Sequence, residues 1–185
     1  MPDEQYILAG SALGVRFFAA GDRFAHIISL RNREQSQVFF ESVEGGPDDA
    51  WPSSPPLQSV IIEKPSASRR LAMLLGMAGQ SHWSLAVELL TSADGEWLIF
   101  DFACRAPQPP EFVGSRYRFG PLVRWNKEEW PMMPSGQVRL RTDDYTALLR
   151  PHGSPNEMVM IPRTAQGSIA FPATLRWKYS IEVAT

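Results

Sequence analysis

The segment SHWSLAVELLTSADGEWLIFDFACRAP, residues 81–107, concentrates the residue types that could do chemistry. It holds His82, the chain's only cysteine at Cys104, and two carboxylates, Glu88 and Asp101. Two chemistries suggest themselves. A thiol beside an imidazole is a nucleophile and its base, provided the two lie within hydrogen-bond reach. Two carboxylates held close together keep one proton between them when buried, which makes one of them a general acid. Alternatively a cation bridges them.

Alternation along the segment decides between these. Trp83, Leu85, Val87 and Leu89 share one parity, and Phe100, Phe102, Cys104 and Ala106 share another, with Asp94-Gly95 as the turn signal between the two runs. A two-residue Asp94-Gly95 loop pairs Leu89 with Phe100 and Glu88 with Asp101. A four-residue loop, Ser92 to Gly95, shifts the pairing by two positions and makes Glu88 and Asp101 diagonal neighbours. Both registers keep one face wholly apolar, and a one-residue slip would mix the faces. Cys104 therefore points into the core, where a thiol behaves as a small apolar group. His82 has the opposite parity and tends to the other face, so the alternation disfavours a Cys104–His82 pair. Glu88 and Asp101 remain the candidate catalytic residues. The simpler expectation is a solvated face on which Arg105 offsets their repulsion.

Arginines that alternate with apolar residues form a second candidate. Arg116 and Arg118, Arg139, and Arg176 lie in three strand-like runs. Brought side by side they would make a basic stripe for an RNA, a phosphorylated ligand or an acidic partner. No RNP-type aromatic motif accompanies them, which argues against nucleic acid. A third candidate is the stretch WNKEEWPMMP, residues 125–134. There Trp125 and Trp130, with neighbouring methionines, would suit the rim of a ligand cavity.

Metal and cofactor chemistry finds no footing in the sequence. His26, His82 and His152 are far apart and no HxxxH, HExxH or CxxC spacing occurs. No GxSxG, P-loop or GxGxxG is present. No metal and no cofactor is expected.

The elements that must position these residues are short and β-like. Runs with period-two alternation lie at 13–19, 24–30, 36–43, 57–63, 112–119, 121–125, 137–141, 158–161 and 174–183, besides the hairpin. The last run is the cleanest, with Leu175, Trp177, Tyr179, Ile181 and Val183 on one side. Sixteen prolines and thirteen glycines favour many short elements. Residues 142–151 suit a short helix, with two acids in the first turn and Pro151 as its stop. Residues 69–80 are ambiguous between a helix capped by Ser68 and a buried strand.

The expected fold is mainly β: a single-domain antiparallel β-sandwich or flattened barrel with one or two short helices. The alternative is α+β, with 69–80 as a helix packed on a curved antiparallel sheet. Residues 1–185 form one domain with a long surface loop at 44–56. The net charge of −2 draws the protein to no polyanion or membrane. From Glu111 onward there are ten Lys/Arg against seven acids, and before it eight against thirteen, a mild dipole. The apolar run near the N-terminus has an acidic start and is broken by Arg16, unlike a signal peptide. No run reaches the roughly 18 apolar residues of a membrane span. With one cysteine, a reducing cytoplasmic compartment is expected.

The function these features favour is a non-catalytic cytoplasmic binding protein for a small molecule or a protein partner. The alternatives are an enzyme using Glu88 and Asp101 as an acid–base pair, or a nucleic-acid binder using the arginine stripe. Edge-strand self-pairing would make a homodimer.

Overall fold

The computed structural model describes residues 5–31, 36–126, 130–132, 138–163 and 169–184. Fifteen strands are present: β1 (Gln5–Ala9), β2 (Leu13–Ala20), β3 (Arg23–Arg31), β4 (Ser36–Ser42), β5 (Ser59–Glu63), β6 (Arg69–Ala78), β7 (Ser81–Ser92), β8 (Gly95–Ala106), β9 (Ser115–Phe119), β10 (Arg124–Trp125), β11 (Pro131–Met132), β12 (Val138–Thr142), β13 (Ala147–His152), β14 (Ser154–Pro162) and β15 (Ala173–Ala184). One sheet runs β1-β2-β3-β4-β9-β14-β13 and the other β12-β15-β8-β7-β6-β5, with β10 and β11 as a separate pair. Every pairing is antiparallel. The two large sheets stack in a sandwich-like arrangement, and no barrel closes among the described residues.

Alternation explains which side of each strand is buried. In β15, Leu175, Trp177, Tyr179, Ile181 and Val183 are buried, while Arg176 and Lys178 between them are exposed. The hairpin β7–β8 buries Trp83, Leu85, Val87, Leu89, Phe100, Phe102, Cys104 and Ala106. These meet Phe17, Ile28, Phe39, Phe40 and Tyr117 from the other sheet in one core cluster. Within it Phe102 stacks on Trp177 with ring centroids 5.0 Å apart, and Phe100 on Tyr179 at 4.9 Å. Such pairs add about 0.5–1.5 kcal/mol each beyond the area they bury.

The structure corrects two expectations and decides two that the sequence left open. Residues 69–78 take the strand alternative, and the expected short helices are missing: no α-helix occurs among the described residues. Ala72, Leu74 and Ala78 face the core at every second position, and pairing to β5 and β7 on both sides completes the backbone hydrogen bonds. Gly76 is no helix breaker here. A Cβ at that position would run into the backbone carbonyl of Pro56, so it lets the incoming chain pass close to β6. Residues 142–151 are likewise not helical. Asp143 caps a single turn, accepting the N–H of Tyr145 at 2.9 Å through Oδ1 and that of Ala147 at 2.8 Å through its carbonyl, and the chain then leaves as β13.

The hairpin register, open between two pairings in the sequence, is the one expected for the four-residue loop. Ser92 pairs with Gly95, so Ala93-Asp94 forms the tight turn, and Gly95 takes up the positive φ of 147°. Ala86 therefore faces Asp101 and Glu88 faces Ile99, the register shifted by two positions. The second correction concerns residues 44–56. Residues 46–50 are exposed, but Pro52, Ser54, Pro55 and Pro56 are buried. Ser54 Oγ also accepts the N–H of Arg116 at 3.1 Å. This half of the loop plugs one end of the sandwich instead of lying on its surface.

Candidate functional site

The register places Glu88 on β7 and Asp101 on β8 as diagonal neighbours on the outer face of the six-stranded sheet. Each has its own cation. Arg69 of β6 bonds Glu88, and Arg176 of β15 forks onto both oxygens of Asp101 at 2.9 and 3.1 Å. The two carboxylates share no proton-holding contact, and their side chains keep about a quarter to a third of their surface in water. Nothing in this arrangement singles out one of them as an acid and the other as a base. Among the described residues no three His, Cys, Asp or Glu side chains gather to hold a metal ion.

The arginines do not form one stripe. Arg116 and Arg118 lie on β9 in the seven-stranded sheet, and Arg139 and Arg176 lie on β12 and β15 in the other. Both arginines of β9 are engaged by Glu157 of β14: Arg116 Nε lies 2.8 Å from its carboxylate, and Arg118 lies 3.7 Å away. Arg105 is on the outer face of the six-stranded sheet, opposite His82 and Thr174. With Lys178 and Arg139 it makes no ion pair among the described residues. Trp125 packs against Phe119 with centroids 4.9 Å apart, and Trp130 is half-buried, its N–H bonded to Asn126 Oδ1 at 2.8 Å. Residues 127–129 and 133–137 of the Trp/Met stretch and its surroundings lie outside the described residues.

Three features were not singled out from sequence. The first is an apolar row on the outer face beside Glu88 and Asp101. Leu75 is 59% exposed, Ile61 55%, Met77 47% and Met73 36%. Register makes them contiguous: Ile61 faces Met73, Met73 faces Ala86, and Ala86 faces Asp101. The row is bounded by the Arg69–Glu88 and Arg176–Asp101 pairs, and farther out by Arg105 and Lys178. A sequence signal existed. The run LAMLLGMA is apolar in both phases, whereas an antiparallel strand with a solvated face should alternate. Covering the half of such a side chain that is still exposed is worth about 1 kcal/mol.

The second feature is a buried polar seam between the sheets. His26 Nε2 lies 2.8 Å from Tyr117 Oη, which in turn contacts the Tyr179 hydroxyl from the opposite sheet. Trp177 Nε1 donates to Ser115 Oγ at 3.0 Å. Burial pulls His26 down to about 3, so its imidazole is neutral, and pushes both tyrosines above their ordinary value. Toward the plugged end, Ser42 Oγ receives the His26 backbone N–H at 2.8 Å and donates to Glu44 Oε1 at 2.6 Å. Burial pushes the Glu44 carboxyl up to about 7, against the lowering effects of Ser42 and of the Arg23 guanidinium. Arg23 is itself buried and is forked by Asp22 at 2.8 and 3.0 Å. Burial likewise raises the Cys104 thiol to about 12, which makes it inert.

The third feature is a pair of dents. One, of about 310 Å³, sits on the outer face of β1–β4 between Arg16 and Arg31, where Ala9, Gly14 and Ser29 are small. The other, of about 220 Å³, lies at the β1/β5 margin beside Tyr6, Phe24 and Val60. Both are open to solvent, and neither has a Trp or Met rim. No helix among the described residues is long and apolar enough to cross a membrane. No family model matches the chain, and neither a curated protein nor a solved structure matches it.

Proposed function

We propose that this is a non-catalytic binding protein that docks a protein partner on the outer face of its six-stranded sheet. The observation that carries the reading is the exposed row Ile61, Met73, Leu75 and Met77. Contiguous apolar surface on a sheet face is costly to leave in water and marks interaction sites. The cations beyond the row, Arg105, Lys178 and Arg139, make no ion pair among the described residues; Asp101 and Glu182, which stand opposite Lys178 and Arg139, are bonded to Arg176 and Arg141. These cations fit a partner whose apolar segment is flanked by acidic residues. The ion-paired state of Glu88 and Asp101 favours this reading over acid–base catalysis. The lone, buried thiol favours a reducing, cytoplasmic setting.

The test is a photo-crosslinking side chain placed at Met77, with a control at Arg118 on the opposite face, in extract of the native cell. A discrete adduct is expected at position 77 only. It should disappear in Leu75→Asp and weaken as salt rises. Equal adduct patterns at both positions, or an adduct indifferent to Leu75→Asp, overturn the reading.

A further inference from the structure

The two margins of the sandwich are guarded differently. At one, the edge strands are β12, with Arg139 and Arg141, and β13, with Arg150 and Pro151. Charged residues and proline are the usual means of keeping an edge from pairing. At the other margin the edges are β1 and β5, and neither has a lysine, an arginine or a proline within the strand. β5 carries Ile61 and Ile62, 55% and 37% exposed, beside the apolar row of β6. The two open edges differ in their outer neighbours. Ile61 faces Met73 on β6, whereas Ile7 of β1 faces Arg16 on β2.

We propose that a second copy of this chain pairs antiparallel with β5 about Ile61, joining two six-stranded sheets into one. The strand is self-complementary in this register. Ile61 faces Ile61 of the second copy, Val60 faces Ile62, Ser59 faces Glu63 and Gln58 faces Lys64. No like charges meet, and each residue faces its counterpart on the same side of the joined sheet. The two-fold axis brings Met73, Ile61, and their counterparts into a single apolar line. The pairing thus doubles the surface proposed above and rests in part on that reading, because Ile61 belongs to both.

The experiment is sedimentation of the full chain across a concentration range. Wild type is expected to be a dimer. Ile61→Lys and Ile61→Glu each put like charges across the axis and are expected to weaken association at least about tenfold. A one-to-one mixture of the two variants is expected to regain it. The exposure of Ile61 makes both substitutions compatible with folding, and recovery in the mixture would demonstrate it. A monomeric wild type, an unaffected Ile61→Lys, or a mixture no better than its components overturns the proposal. So does loss of the dimer in Ile7→Lys but not in Ile61→Lys. Met77 lies beyond the end of β5, so Met77→Asp should stay dimeric while losing any adduct to an acidic partner placed at Leu75. That variant separates failure of the dimer from failure of the docking surface.

Discussion

Glu96 at the start of β8 accepts the backbone N–H of Leu13 at 2.8 Å, tying the six-stranded sheet to the first turn of the seven-stranded one. The same carboxylate accepts the N–H groups of Ser11 and Ala12 at 2.6 and 2.9 Å, and the Ser11 hydroxyl at 2.7 Å. A buried charge is tolerated when its oxygens are this fully occupied. Gly10 is part of the arrangement, because a Cβ there would strike the carboxylate.

Glu96→Gln should therefore destabilise the protein by about 1.5–3 kcal/mol near neutral pH, since it removes the charge from several hydrogen bonds. Burial alone would raise the Glu96 carboxyl, but the donors of Ser11, Ala12 and Leu13 outweigh it and hold it below its ordinary 4.5. A depressed acid contributes stability above its unfolded value and loses it as pH falls through the folded one. The gap between wild type and Glu96→Gln should thus be full above about pH 4.5 and should close on acidification. Urea unfolding at a series of pH values measures it.

Glu44 should behave in the opposite sense. Its folded value is raised from 4.5 to about 7, so the stability linked to its proton is complete below 4.5 and is lost as pH rises through 7. Glu44→Gln keeps an oxygen for Ser42 and cannot ionise. It should be more stable than wild type at pH 8 by about 3 kcal/mol, with the advantage vanishing below pH 4.5. Thermal unfolding of the two proteins at pH 4 and pH 8 decides this. A larger advantage at pH 4 would contradict the burial of the carboxyl.

Asp101→Asn and Glu88→Gln each break an ion pair on a solvent-facing surface. The expected cost of each is below about 1 kcal/mol, and smaller still at high salt. Chemical denaturation in low and high salt is the measurement. A loss well above that bound, insensitive to salt, would mean that these carboxylates support the fold instead of merely bordering the apolar row.

Much of this was legible because strand alternation is a local property. The core faces of β7, β8 and β15 follow from parity alone, as does the inward direction of Cys104. The same parity, not used in the sequence analysis, puts Glu96 in phase with Leu98, Phe100 and Phe102, and His26 in phase with Phe24 and Ile28. A charged and a titratable group on core faces were therefore readable as groups in need of partners. Which partners they found was not readable, because Ser11–Leu13 and Tyr117 lie about 84 and 91 residues away in sequence.

Alternation alone was enough for the fold class, the strand-rich segments and the side of most strands that faces the core, since these depend on side chains two positions apart. Tertiary structure decided the rest. Residues 69–78 became a strand because β5 and β7 flank them and supply hydrogen bonds that a helix would make internally. The arginines of β9 were separated from those of β12 and β15 because sheet order, not sequence order, sets strand neighbours. Glu88 and Asp101 acquired Arg69 and Arg176 because pairing register, fixed over the whole sheet, chose which side chains stand next to each other.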